Sequence, residues 1–150
     1  MAKHICRYTI PSYKVILVRE ASSNNDLIVS SPKQTEEVLY EYFKCLDREH
    51  FIVLMLDTKN KVIGINTVSV GTLNNSLIHP REVFKPAILS NAASIIVAHN
   101  HPSGDPSPSL DDKNITVKIR QAGDIIGIGV SDHIIVGENR YFSFVEKGLL

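Results

Sequence analysis

Ser94-Ile95-Ile96-Val97-Ala98-His99-Asn100-His101-Pro102-Ser103-Gly104-Asp105-Pro106-Ser107-Pro108-Ser109-Leu110-Asp111-Asp112 is the stretch that decides the architecture. Residues 94–99 are a short continuous apolar run ending in a histidine, the pattern of a buried strand. Residues 102–108 hold three prolines, one glycine and two serines, which reads as a loop. Ser109 to Asp112 then opens a helix, with Ile115, Ile119 and Ala122 facing a core and Gly123 as its stop. Strand, loop and helix in that order point to a sheet interleaved with helices.

The flanking sequence extends this pattern. Ser31-Pro32-Lys33-Gln34 is a helix start, with Ser31 as N-cap, Pro32 in the first turn and Gln34 closing a capping box. Val38, Leu39, Tyr42, Phe43 and Leu46 share one face of that helix, which is expected to run to about residue 47. Phe51–Leu56 reads as a buried strand, 57–60 as a turn and Val62–Val70 as the return strand, with a bulge near Gly64. Pro80-Arg81-Glu82-Val83-Phe84 opens a second helix that ends around Asn91. Ile125–Val130, His133–Val136 and Tyr141–Phe144 are expected as short strands, the last two joined by a Gly137-Glu138-Asn139 turn. Residues 5–19 alternate loosely around Pro11 and suggest a strand pair or an arm. The fold class expected is α/β (α+β), a mixed sheet flanked by helices, with residues 1–150 as a single domain.

Composition agrees with a globular domain and excludes several classes. The chain has 150 residues, 43% of them hydrophobic and 21% charged. No apolar run is long enough for a membrane span, and residues 1–7 lack the apolar core of a signal peptide. Sixteen basic and sixteen acidic side chains cancel. A nucleic-acid binder usually carries a basic excess or cluster, so duplex DNA is expected to bind only weakly. Cys6 and Cys45 have no metal-ligand spacing and read as free or buried thiols. The expected location is the cytoplasm.

His99 and His101 carry the chemistry. In an extended chain residues i and i+2 face the same way, so two imidazoles converge while Asn100 points to the other side. The proline-rich loop brings Asp112 back in the first turn of the next helix. Two histidines and a carboxylate suit zinc and leave a fourth position open for water, as in catalytic sites. Hydrolysis would also need a general base and a donor for the oxyanion. Glu49, ahead of the Phe51–Leu56 strand, and Glu82, in the second helix, are both candidates for the base, and the Ser109 hydroxyl can face the metal. Each residue also has a plainer reading. His-x-His occurs as a surface pair, Ser109-x-x-Asp112 is a capping box, Glu49 is a solvated connection and Glu82 complements a helix dipole. Asp132-His133 could stand behind the metal ligands or be an unrelated pair, and a structural role is favoured. His99-Asn100-His101 spells HNH, but HNH nucleases draw those residues from separate parts of a ββα unit, so a contiguous triplet is not that motif.

His99-x-His101-Pro102, six residues, then Ser109-x-x-Asp112 resembles the metal motif of the JAMM (MPN+) metalloproteases. With Pro80-Arg81-Glu82-Val83-Phe84, Asn91-Ala92-Ala93, His99 to Gly104, Asp132 to Gly137 and Tyr141 to Phe144, the chain resembles the bacterial RadC family over about residues 32–150. The resemblance implies a JAMM fold, a mixed sheet curved around a zinc site. It implies His99, His101 and Asp112 as zinc ligands, Ser109 as an aid to the oxyanion, and Glu49 as the glutamate at the mouth of the core hairpin. The glycines that usually follow that glutamate in JAMM proteases are absent here, which leaves Glu82 as the alternative base. It also implies a RadC-type chain without the N-terminal helix-hairpin-helix region, and by family name a link to DNA repair.

The function expected is therefore a zinc-dependent hydrolase cleaving a peptide or isopeptide bond of a peptide or protein substrate. The alternative is a DNA-repair or mobile-element-associated RadC-like protein that binds metal without proteolysis. A metal-free MPN-type scaffold is disfavoured, because a scaffold need not keep His99, His101 and Asp112 together.

Overall fold

The computed structural model describes residues 13–18, 20, 27–71 and 78–150. The arm expected over 5–19 and the loop expected over 71–77 lie largely outside the described residues. The element order is α1 (Pro32–Phe43), β1 (His50–Leu56), β2 (Val62–Val70), α2 (Pro80–Leu89), β3 (Ser94–Asn100), α3 (Leu110–Ile126), β4 (Gly129–Val136) and β5 (Tyr141–Ser143). The strands form one five-stranded sheet in the order β2-β1-β3-β4-β5. β1 pairs antiparallel with β2 and β3, β3 runs parallel to β4, and β4 is antiparallel to β5. This is the mixed, helix-flanked sheet that the sequence implies.

Alternation along the central strands divides the core into two layers. Phe51, Val53, Met55, Ile95 and Val97 face α2 and α3, where they meet Val83, Phe84, Ala87 and Ile119. Ile52, Leu54, Leu56, Ile96 and Ala98 face α1, where they meet Leu39 and Phe43. β1 and β3 are buried on both faces, which explains why they read as continuous apolar runs. The register shift between Met55 and Leu56, opposite Gly64 and Val62, is the bulge expected near Gly64.

Several boundaries differ from expectation. Gly123 lies inside α3, which continues to Ile126 and ends at Gly127 in the left-handed conformation (φ 80°). A side chain at Gly123 would bring its Cβ within 2.6 Å of the Ile128 carbonyl oxygen, so this glycine serves close packing while Gly127 serves the cap. Ile125 and Ile126 accordingly end the helix rather than begin a strand, and residues 129–136 form one strand instead of two. α1 also stops at Phe43, short of residue 47.

Candidate metal centre

The parity of β3 puts His99 on the same face as Val97, at the edge of the α2/α3 layer, where it is completely buried. Its ring stacks on Phe51, its cross-strand partner, with centroids 5.7 Å apart and planes inclined by 16°. His101 follows two residues later, where the chain has left β1 and its N–H bonds to the Val136 carbonyl on β4. The Pro-rich loop is pinned there by close backbone contact. A Cβ at Gly137 would lie 2.4 Å from the Gly104 carbonyl oxygen, and that same oxygen accepts from the Glu138 N–H. The loop thereby brings the Asp105 carbonyl within 2.7 Å of His101 Nδ1. A carbonyl can only accept, so Nδ1 of His101 carries a proton and Nε2 is the nitrogen turned toward His99.

Asp112 arrives on the first turn of α3. Its Oδ2 accepts from the Ser109 N–H at 2.7 Å and from the Ser109 O–H at 2.6 Å, while the Ser109 oxygen accepts from the Asp112 N–H. The capping box is thus complete with one carboxylate oxygen. Oδ1 is buried and makes no hydrogen bond among the described residues. It lies 3.2 Å from His99 Nε2, and His99 Nε2 lies 3.0 Å from His101 Nε2. Burial favours the neutral acid at Asp112, but the two donors of Ser109 on Oδ2 favour the carboxylate, and the carboxyl is held below the usual carboxylate range. Burial lowers the pKa of His99 against the raising effect of Asp112, which favours the neutral ring.

His99, His101 and Asp112 form the one group of potential metal ligands found among the described residues, with donor atoms within 4.8 Å of one another. The arrangement fits a cation. A buried carboxylate oxygen without a partner costs free energy, and it lies beside His99 Nε2, with His101 Nε2 next to that nitrogen. His101 closes the group on the solvent side, with 17% of its side chain exposed.

The other expected residues separate. Glu49 immediately precedes β1 and is half-buried. The antiparallel register pairs Phe51 with His99 and ends there, so Glu49 lies just beyond the paired residues, at the end of the sheet that carries His99. Its backbone is held on both sides. Gly71 N–H donates to the Glu49 carbonyl, while the Asn100 side chain accepts from His50 N–H at 2.8 Å and donates to Arg48 O at 3.0 Å. Asn100, pointing away from the histidines, fills the gap where β3 parts from β1. Glu82 lies on the first turn of α2 in ion pairs with Lys85 and Arg81, outside the cluster. Ser109 is beside the cluster, with its hydroxyl proton directed to Asp112.

Two neighbours stand behind the cluster, one of them, Thr116, unseen by sequence reasoning. His133, read as structural, is completely buried on β4 with Nε2 3.0 Å from His99 Nδ1 and its ring stacked on Phe144. Thr116 on α3 lies behind it. Their placement depends on the parallel β3–β4 pairing, which no local pattern announces. Asp132 does have a structural role. Its carboxylate gathers Ser143 Oγ and the N–H groups of His133 and Val145, and so fixes the turn after β5.

The RadC-like JAB domain model matches residues 29–149. A UPF0758 protein of Desulfitobacterium hafniense (strain DSM 10664 / DCB-2) is 49% identical over 137 residues, covering 89% of this chain and 60% of its own length. One from Rubrobacter xylanophilus is 55% identical over 123 residues, 82% of this chain and 54% of its own. One from Clostridium beijerinckii is 51% identical over 127 residues, 85% of this chain and 56% of its own. This chain therefore spans only between half and two thirds of these relatives. With the mixed sheet and the His/His/Asp cluster that the resemblance implies both present, the chain belongs to the RadC-like JAB domain family.

Proposed function

We propose that His99, His101 and Asp112 hold a zinc ion and that the centre hydrolyses a peptide or isopeptide bond. The observation that supports this most is the buried, unpartnered Asp112 Oδ1 3.2 Å from His99 Nε2, with His101 Nε2 3.0 Å from that same nitrogen. Two imidazoles and a carboxylate suit zinc, and three protein ligands are the number found in catalytic rather than structural sites. Zinc, when bound, supplies a Lewis acid for a carbonyl oxygen and lowers the pKa of a water to about 7. Glu49 is the general base, taking a proton from the attacking water and returning it to the leaving amine. Its place just before β1, at the end of the sheet where Phe51 pairs with His99, and its held backbone support that role over Glu82, whose carboxylate is engaged by Lys85 and Arg81. Ser109 is the oxyanion donor, and in that step its O–H exchanges Asp112 Oδ2 for the substrate.

That exchange also favours a second reading. The Ser109 proton is already directed to Asp112, as suits a RadC-like protein that binds metal, in DNA repair or a mobile element, without proteolysis. Zinc-loaded chain should be assayed on fluorogenic peptides and an isopeptide-linked substrate, with a chelator control. The hydrolase reading expects turnover that the chelator abolishes. It expects Glu49→Gln to slow turnover by about 10²–10⁴-fold at unchanged zinc content, and Glu82→Gln to leave it unaltered. Stoichiometric zinc without turnover gives the second reading. Duplex DNA titrated at several salt concentrations then shows whether nucleic acid is the partner. Net charge is zero, and exposed Lys113, Lys118 and Arg120 offer only a small basic group. The dissociation constant expected at physiological salt is about 10⁻⁴–10⁻⁶ M, the non-specific range.

A further inference from the structure

The hydrogen bonds behind His99 have a direction that can be followed from atom to atom. The Thr116 hydroxyl lies 2.6 Å from the main-chain oxygen of Asp112, one turn earlier on α3. A carbonyl has no proton, so the hydroxyl donates. Having used its single proton, it can only accept from its second partner, His133 Nδ1, at 2.5 Å. Nδ1 of His133 therefore carries a proton. The ring is completely buried and its hydrogen bonds are to Thr116 and His99, not to a carboxylate, so it is neutral and Nε2 is a lone pair. That lone pair faces His99 Nδ1 at 3.0 Å, which makes His99 the donor. His99 is then protonated at Nδ1 and keeps its lone pair at Nε2, the atom aimed at His101 and Asp112.

The other tautomer of His99 would have a different consequence. A proton on Nε2 would point at His101 Nε2, 3.0 Å away, and at the unpartnered Asp112 Oδ1, 3.2 Å away. The protein could then satisfy its own cluster, and an incoming cation would have to displace that proton. A threonine hydroxyl bonded to the carbonyl four residues earlier is common in helices. The second bond, to a buried histidine, gives this one a further role.

We propose that Thr116 and His133 are positioning residues that fix His99 in the Nδ1–H tautomer and so keep its Nε2 lone pair available to a metal. Asp112 then acts twice. Its carboxylate belongs to the cluster, and its carbonyl starts the chain of bonds that sets the proton on His99. The value of this arrangement to binding rests on the metal reading above, but the tautomer itself does not.

Two measurements on the full chain test the relay. The first uses ¹⁵N-histidine-labelled protein, freed of metal by a chelator, and long-range proton–nitrogen correlation spectra. His99 and His133 should both appear as Nδ1–H tautomers, and His99 protonated at Nε2 would overturn the proposal whether or not the protein binds zinc. The second compares zinc affinities by competition with a chromogenic chelator. Thr116→Val keeps the branched shape but frees His133 to move its proton to Nε2, which would press His99 into the wrong tautomer. Zinc affinity should fall about 10–100-fold, the usual effect of losing a partner behind a metal ligand, and Thr116→Ser should restore it. A Thr116→Val protein with wild-type affinity and an unchanged His99 tautomer would overturn the relay. Should that variant fail to fold, the wild-type spectra still decide. Absence of zinc uptake by wild type would defeat the metal reading alone.

Discussion

α1 and α3 begin with the same chemistry and put it to different uses. Each has a serine N-cap whose Oγ accepts from the amide three residues on, Gln34 in α1 at 3.3 Å and Asp112 in α3 at 3.1 Å. In α1 the Gln34 side chain does not close the expected capping box on the Ser31 N–H but reaches one residue further, to the exposed Ser30 N–H at 3.1 Å. In α3 the Asp112 carboxylate reaches back to Ser109 with one oxygen and leaves the other buried beside two histidines. A cap contributes roughly 1 kcal/mol and needs one oxygen. Nothing in capping explains why a whole carboxylate should be withdrawn from water. The two readings of Asp112, helix cap and metal ligand, are therefore compatible, because each uses a different oxygen. An acceptor left unused after local hydrogen bonding marks a binding site better than the residue type does.

The largest effect should come from separating those two oxygens. Asp112→Ala removes both, and zinc content should drop from one per chain to a small fraction of that, with a loss of stability from the cap. Asp112→Asn is sharper. Its carbonyl oxygen can still accept from Ser109, while its NH₂ faces the histidine lone pairs in place of Oδ1. Metal-free thermal stability should stay near wild type and zinc uptake should be lost. An Asp112→Asn protein with full zinc content would show that Oδ1 is not a ligand and that the two helix starts are of one kind.

The serines give the next comparison. Ser31→Ala and Ser109→Ala should each cost about 0.5–2 kcal/mol in urea unfolding of the metal-free protein, since each removes an N-cap. Only Ser109→Ala also loosens a carboxylate that serves the cluster, so only it should weaken zinc binding, by about 10–100-fold. Equal zinc affinities in the two variants would show that the α3 cap and the cluster act independently.

How much of this was legible in the sequence depends on the range over which each residue acts. Ser31, Pro32 and Ser109 act on the next few residues, and their helix starts could be read directly. His99 and His101 follow strand parity, a period of two, and the loop returning Asp112 is short. Gly123 misled because a glycine kept for close packing and a glycine ending a helix look alike, and only the approach of the Ile128 carbonyl tells them apart. Glu49 could be placed near the cluster by resemblance, but its place at the His99 end of the sheet comes from the β1–β3 pairing, which joins residues about fifty apart. His133 and Thr116 were the hardest to see. One sits on β4 and the other on α3, and they meet only because α3 crosses back over a parallel strand pair.

The smallest effect, and the most direct trial of the comparison, would come from rebuilding the α3 box on α1. Gln34→Asp sets a serine cap and an aspartate three residues later at an exposed helix start, the same pair of residue types as Ser109 and Asp112. A carboxylate in the first turn complements the helix dipole, so stability should rise by about 0.3–1 kcal/mol at low ionic strength, less whatever the lost Gln34 to Ser30 bond contributed. Salt should shrink the difference, because the site is exposed and screened. The second oxygen of the new carboxylate would be hydrated, and no pair of histidines faces it, so no free energy would be recovered by a cation there. Zinc content should stay at that of wild type. A second zinc bound at α1 would mean that the capping box alone recruits the ion, and the unused buried oxygen of Asp112 would lose its standing as the feature that separates the two helices.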